Sequence, residues 1–411
     1  MFFRAHCDNK NLTTIPGYKG CEGTTLLELQ ENSIENIHPE RISEYVSVKT
    51  LDVSWNLISL IHPGTFIDLN YLRNVICSHN SLDTVPNGVF SGTEDSLTRI
   101  YLNNNYIGII GDEAFKSLSQ VTDIYLNNNH IRVLPSKVFS DVTEVTCLNL
   151  AHNELEHLQQ HHLKGLTKLI TLWLQNNNLK EIPKGLFAGL ESLKEVYLSD
   201  NQLITIHSPQ NLGLQPVGLE ILDLQNNYLN RSDVVIPYLL NATWTVYLGN
   251  NPFLCDCYFQ SIQDWYGTLT NHQTITSNSP ENPLTCTFNN GTQYSISDYL
   301  PIICSDTANE NIAVTSDKPS PTPTSHHDKY RTVTVNSHFN ASFTGQNNMI
   351  HHEDKQVITV VNTCTGVNIA TLVICILFFV LWAGKSLYYS TRDRHRTRDR
   401  SRTRDRSRVT I

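Results

Sequence analysis

The chain has 411 residues, 40% of them hydrophobic and 17% charged, so it can bury sizeable cores and is neither disordered throughout nor a short peptide scaffold. Its formal charge of −9 conceals a split: residues 385–411 carry +7, from one lysine and nine arginines against three aspartates, which leaves −16 for the rest. Ten cysteines, four of them grouped as Cys255, Cys257, Cys286 and Cys304, point to an oxidising compartment, with a metal site as the competing reading.

Residues 1–23 hold Cys7 and Cys21, a candidate disulfide pair, and a glycosylation sequon at Asn11. Only MFFRAH precedes Cys7, with no apolar leader, so a chain truncated at its start is expected.

From residue 24 to 254 the chain repeats. Asparagines recur at 32, 56, 80, 105, 129, 153, 177, 201, 227 and 251, every 24 to 26 residues. Aliphatic residues stand three and five positions before each asparagine, as in Leu27/Leu29 and Ile124/Leu126, and Cys77 fills one such slot. A period of two sends these aliphatics to one face of a short strand and the intervening residues to the other. The asparagine side chain can satisfy backbone groups where the chain leaves the strand, and stacked copies should form a ladder. A second half-coil carries GTFIDL, EAFKSL, KVFSDV or GLFAGL. One coil cannot bury both rows alone, so coils stack.

This pattern resembles the leucine-rich repeat family, whose signature is LxxLxLxxNxL, over about residues 7–304. The resemblance implies an α/β solenoid, a horseshoe with a parallel, concave β-sheet and cysteine-rich caps. The outward slot between the two aliphatics reads Glu28, Asp52, Ile76, Tyr101, Tyr125, Asn149, Trp173, Tyr197, Asp223 and Tyr247. Such aromatics, spanning on the order of 30 Å, can grip a protein ligand. The candidate ligand-binding residues are therefore Tyr101, Tyr125, Asn149, Trp173, Tyr197 and Tyr247, with Trp55, His79 and His152 from the slot just before the asparagine. Tyrosines in this slot can also simply cover the sheet.

Residues 255–304 resemble the cysteine-rich C-terminal cap of extracellular leucine-rich repeat proteins, and residues 1–23 the latter part of the matching N-terminal cap. Spacing alone allows three pairings of the four cysteines. The family pattern implies Cys255 with Cys286 and Cys257 with Cys304. Cys77 should be a buried, inert core residue, and Cys147 falls on the concave face as a candidate free thiol.

Residues 305–363 are rich in Ser, Thr, Pro, Asn and His and read as a stalk. Residues 365–384, TGVNIATLVICILFFVLWAG, are uncharged and give about 30 Å as a helix, enough to cross a bilayer. Lys385 and the arginines follow, which places residues 385–411 in the cytosol and the repeats outside the cell. The sequons at Asn11, Asn230, Asn241, Asn290 and Asn340 all fall on the outer side. Cys364 can join two chains into a dimer. The basic tail suits anionic lipid better than nucleic acid.

No catalytic constellation emerges. EHLQQHHL offers an i, i+4 pair in His157 and His161, but the metalloprotease motif needs Glu after the first histidine and Leu158 stands there. These histidines, with His162, read as solvated, and no cofactor or metal is expected. The expected protein is a single-pass type I surface receptor for recognition or adhesion, binding a protein or glycan on its concave face. The competing expectation is an auxiliary subunit that modulates a channel or receptor through its membrane helix and basic tail.

Overall fold

The computed structural model describes residues 3–296 apart from 20, 216–217, 240–243 and 269–282. The expected pairing partner Cys304, the stalk, the apolar segment 365–384, the basic tail and the sequons at Asn241 and Asn340 lie outside the described residues. Among those that are described, no helix is long and apolar enough to cross a membrane.

The strands are β1 (Phe3–His6), β2 (Thr24–Glu28), β3 (Thr50–Asp52), β4 (Asn74–Ile76), β5 (Thr84–Val85), β6 (Arg99–Tyr101), β7 (Ile109–Ile110), β8 (Asp123–Tyr125), β9 (Cys147–Asn149), β10 (Thr171–Trp173), β11 (Glu195–Tyr197), β12 (Ile221–Asp223), β13 (Thr245–Tyr247), β14 (Phe253–Leu254), β15 (Thr285–Thr287) and β16 (Gln293–Ser295). All but β5, β7 and β14 to β16 join in chain order into one eleven-stranded sheet. Every pairing in that sheet is parallel, and equivalent residues of successive repeats are direct partners, as with Tyr101 and Tyr125 or Leu172 and Val196. This is a β-solenoid: each coil adds one three- to five-residue strand and then returns.

The aliphatic slots on either side of the outward residue are buried throughout, from Leu27 and Leu29 to Val246 and Leu248. Each such side chain contributes roughly 1.5 to 3 kcal/mol by leaving water. On the return halves a column of phenylalanines runs Phe66, Phe90, Phe115 and Phe139, with ring centroids 6.2, 6.0 and 5.9 Å apart and planes nearly parallel.

The asparagines form the ladder. Asn129 donates to Leu102 O and Leu126 O at 3.0 and 2.9 Å and accepts from Ile107 N at 3.0 Å, so one side chain ties two coils. Asn56 and Asn177 do the same with the coils before them.

Both ends of the array are covered. At the front β1 pairs with β2, and Tyr45 donates to Pro16 O at 3.0 Å. At the back, β14, helix Cys257–Thr268, β15 and β16 bring Phe259, Ile262 and Leu284 onto the core, and Cys255 is bonded to Cys286. Cys257 is also disulfide-bonded.

Three expectations need correction. Cys7 and Cys21 are free thiols, not a pair. Cys7 is held in the sheet ladder by its N–H on Glu28 O, whereas Cys21 is held in a tight turn by its N–H on Tyr18 O. Cys147 is buried and disulfide-bonded rather than a free thiol. His162 is not solvated: its Nδ1 accepts from Gln159 N at 3.1 Å, and burial pushes its imidazole down to about 4.

Candidate functional site

The outward side chains of the sheet are brought into line by register. Parallel in-register strands lie about 4.8 Å apart, which is also the distance at which flat rings stack. Tyr101 on β6 and Tyr125 on β8 stack with centroids 4.9 Å apart and planes 5° from parallel. Trp173 on β10 and Tyr197 on β11 stack at 6.2 Å and 7°. Asn149 separates the two pairs and folds back on its own strand, its Oδ1 accepting from Ala151 N at 3.0 Å. Asp223 separates Tyr197 from Tyr247, so the expected single stripe is two stacked pairs and one further ring.

Exposure also differs along the column. Tyr101, Tyr125, Asn149, Tyr197 and Tyr247 are half-buried. Trp173 is only 5% exposed, packed flat beside its stacked neighbour, and so supports the face more than it presents area to a ligand. Tyr197 donates its hydroxyl to Glu195 at 3.2 Å, and burial, then Glu195, hold its phenol well above the ordinary range.

Trp55, His79 and His152 are placed differently from expectation. All ten residues immediately before a ladder asparagine have φ between 52° and 58°, so these three sit on left-handed turns at the strand ends rather than on the sheet face proper. The geometry explains why asparagine dominates that slot, as at Asn104, Asn128, Asn176, Asn226 and Asn250: its short side chain tolerates this conformation. Trp55 is the bulkiest exception. It stacks on His79 at 3.8 Å and 8°, remains 39% exposed, and forms an aromatic shelf on the rim. His152 is exposed.

Carboxylates were underweighted by the sequence pattern. Glu28, Asp52, Asp123 and Glu195 are buried on this side of the sheet, and Asp223 is half-buried. Glu28 is engaged by Arg4 and, at 2.7 Å, by His6. His6, Asp8 and Glu28 could approach one ion, but the guanidinium already neutralises Glu28 and leaves a weak cation site. Asp52 takes Ser54 N at 3.0 Å and Ser54 Oγ at 2.6 Å, while burial raises its pKa. The signal for Asp123 and Glu195 was available in the outward slot six positions before the ladder asparagine.

Residues 22–82, 95–155 and 143–203 match the family described as Leucine rich repeat. Over these residues the coils are leucine-rich repeats. Tsukushi of Gallus gallus is 35% identical over 99 residues, which cover 24% of this chain and 26% of that protein. Leucine-rich repeats and immunoglobulin-like domains protein 2 of Homo sapiens is 33% identical over 108 residues, 26% of this chain and 10% of that protein. Toll-like receptor 8 of Homo sapiens is 36% identical over 104 residues, 24% and 10% of the two chains. The chain thus spans about a quarter or less of the length of these relatives.

The sheet face is an extended surface of eleven strands. A cleft of about 300 Å³ lies elsewhere, on the return halves, lined by Glu113, Lys116, Ser136 and Asp141 among others. The open sheet carries half-buried rings along its outward column. The sequon asparagines Asn11, Asn230 and Asn290 are exposed, and none lies in the aromatic column.

Proposed function

We propose that this protein is a single-pass cell-surface receptor whose leucine-rich repeat sheet face recognises a protein ligand, in adhesion or immune recognition. The observation that carries the reading is the half-buried tyrosine rings of the outward column, Tyr101 stacked on Tyr125 with Tyr197 and Tyr247 beyond, on an open parallel sheet backed by buried Trp173. Rigid aromatic area with hydrogen-bonding tips dominates protein interfaces because little rotamer entropy is lost on binding. Residues 365–384 would anchor the chain, 305–363 would lift the repeats from the membrane, and 255–304 would cap the array with a second bond between Cys257 and Cys304. Sugars at Asn11, Asn230, Asn241, Asn290 and Asn340 would sit outside the aromatic column, those at Asn230 and Asn241 on the coils beside it. That one relative is named a receptor is consistent with this role.

The test displays the full chain on cells and measures saturable binding of a panel of soluble ectodomains. Beside it stands the combined variant Tyr101→Ala, Tyr125→Ala, Trp173→Ala and Tyr197→Ala, checked for correct surface folding by circular dichroism of the purified protein. A ligand bound by the parent and lost by the folded variant supports the reading. Binding that survives the variant moves the site off the column. Activity that instead follows residues 365–411 onto an unrelated ectodomain favours an auxiliary subunit.

A further inference from the structure

The charge on the sheet face defines the chemistry of its partner. The three outward slots of each repeat, two, four and six positions before the ladder asparagine, hold five carboxylates across the array: Glu28, Asp52, Asp123, Glu195 and Asp223. Among the described residues they hold one cation, Arg99, whose Nε is 3.1 Å from Asp123. Arg4, on β1, is held by Glu28.

Asp52 and Asp223 stand in the aromatic column itself. Asp52 is 7% exposed and, among the described residues, accepts hydrogen bonds from Ser54. Asp223 accepts from Gln225 N at 3.0 Å, from Gln225 Nε2 at 3.2 Å and from the Ser199 side chain. Neither forms an ion pair among the described residues. A carboxylate withdrawn from water beside neutral donors alone is incompletely compensated, and an incoming cation relieves it. Between the two aspartates lie the half-buried rings of Tyr101, Tyr125 and Tyr197, and aromatic rings of this kind attract guanidinium groups.

We infer that the face takes a basic protein segment, arginine-rich and extended, laid across the strands with its cations at Asp52 and Asp223 and its apolar or guanidinium surfaces on the intervening rings. Seven strand steps separate β3 from β12, roughly 34 Å along the sheet. Nucleic acid, sulfated glycan and anionic lipid are repelled by the same carboxylates. This inference rests on the recognition reading and specifies its partner.

The experiment selects random peptides of about twelve residues, long enough to span ~34 Å when extended, on the full chain in nanodiscs. Three variants are compared with the parent: Asp52→Asn with Asp223→Asn, the four-residue aromatic variant, and a control, Asp68→Asn with Glu191→Gln, on exposed return-half sites. Net positive, arginine-containing peptides should be enriched. Their affinity should fall about tenfold on the Asp52/Asp223 variant and weaken as salt rises from about 0.05 to about 0.3 M, while the control leaves it unchanged. Asparagine is nearly isosteric with aspartate, so a lowered melting temperature would betray misfolding. Neutral or acidic peptides that still depend on the rings would overturn the inference and leave the recognition reading standing. Basic peptides lost equally on the control would show diffuse charge attraction and overturn it too. Peptides indifferent to both face variants would overturn both readings.

Discussion

Trp55 sits at φ 54°, in a conformation that costs a bulky L-residue roughly 1 to 2 kcal/mol. Its stack on His79 returns about 0.5 to 1.5 kcal/mol. Trp55→Asn therefore removes both terms and should leave the urea midpoint nearly unchanged, while thinning the aromatic shelf. Asn128→Val at φ 55° adds the strain with no stack and should cost about 1 to 2 kcal/mol. Equal losses for the two would refute this balance. His79 gives a second, pH-dependent prediction. Burial pushes its imidazole from 6.5 down to about 4, so the unfolded chain takes the proton first as pH falls. The stability it contributes is complete above about 6.5 and is lost as pH falls toward about 4. Asp52 and Asp223 act with the opposite sign, because burial raises their pKa values and the charged form weighs against folding. An NMR titration of the His79 ring should find a midpoint near 4; an ordinary midpoint would mean that the ring is solvated above the Trp55 shelf.

At the scale of the coil, the repeat was legible because its physics is periodic. Leu27 and Leu29, five and three before Asn32, predicted strand, inward face and ladder together, and a parallel sheet follows once ten such units are in phase. The turn conformation before each asparagine was not legible from Trp55, His79 or His152, which look like outward binding residues until φ is known. The predominance of asparagine in the same slot was the available clue. Nor could the aromatic column announce that Trp173 would be buried, since that depends on the neighbouring strands. The Cys7–Cys21 pairing failed for a related reason: cysteine spacing says nothing about which backbone ladder each residue joins. Return halves are tighter than their variable sequences imply. Gly92 has φ 88°, and a Cβ there would lie 2.4 Å from Ile67 O on the preceding coil. Gly92→Ala thus meets fixed backbone as well as strain and should lower stability by about 2 kcal/mol or more in chemical denaturation. A neutral result would show that neighbouring return halves slide apart at little cost.

Over the whole array, each coil touches only its neighbours, so stability is transmitted along the solenoid rather than through a central core. Asn129 binding both Leu102 O and Leu126 O is one such link, and the stacked Phe90, Phe115 and Phe139 are another. The last coils lack a neighbour on one side and depend on the segment after β13, where Phe259 and Leu284 are buried and Cys255 is tied to Cys286. Loosening that segment should therefore act locally. In Cys255→Ser, hydrogen exchange monitored by mass spectrometry should quicken most in β12, β13 and β14, less in β10 and β11, and not measurably in β3 to β6. The decay length of that effect measures how far one coil supports the next. It also decides whether Asp223, near the loosened end, can be perturbed independently of Tyr101 and Tyr125. A uniform rise in exchange across all coils would instead mean that the array opens as one cooperative unit, so that damage at the end reaches the entire sheet face.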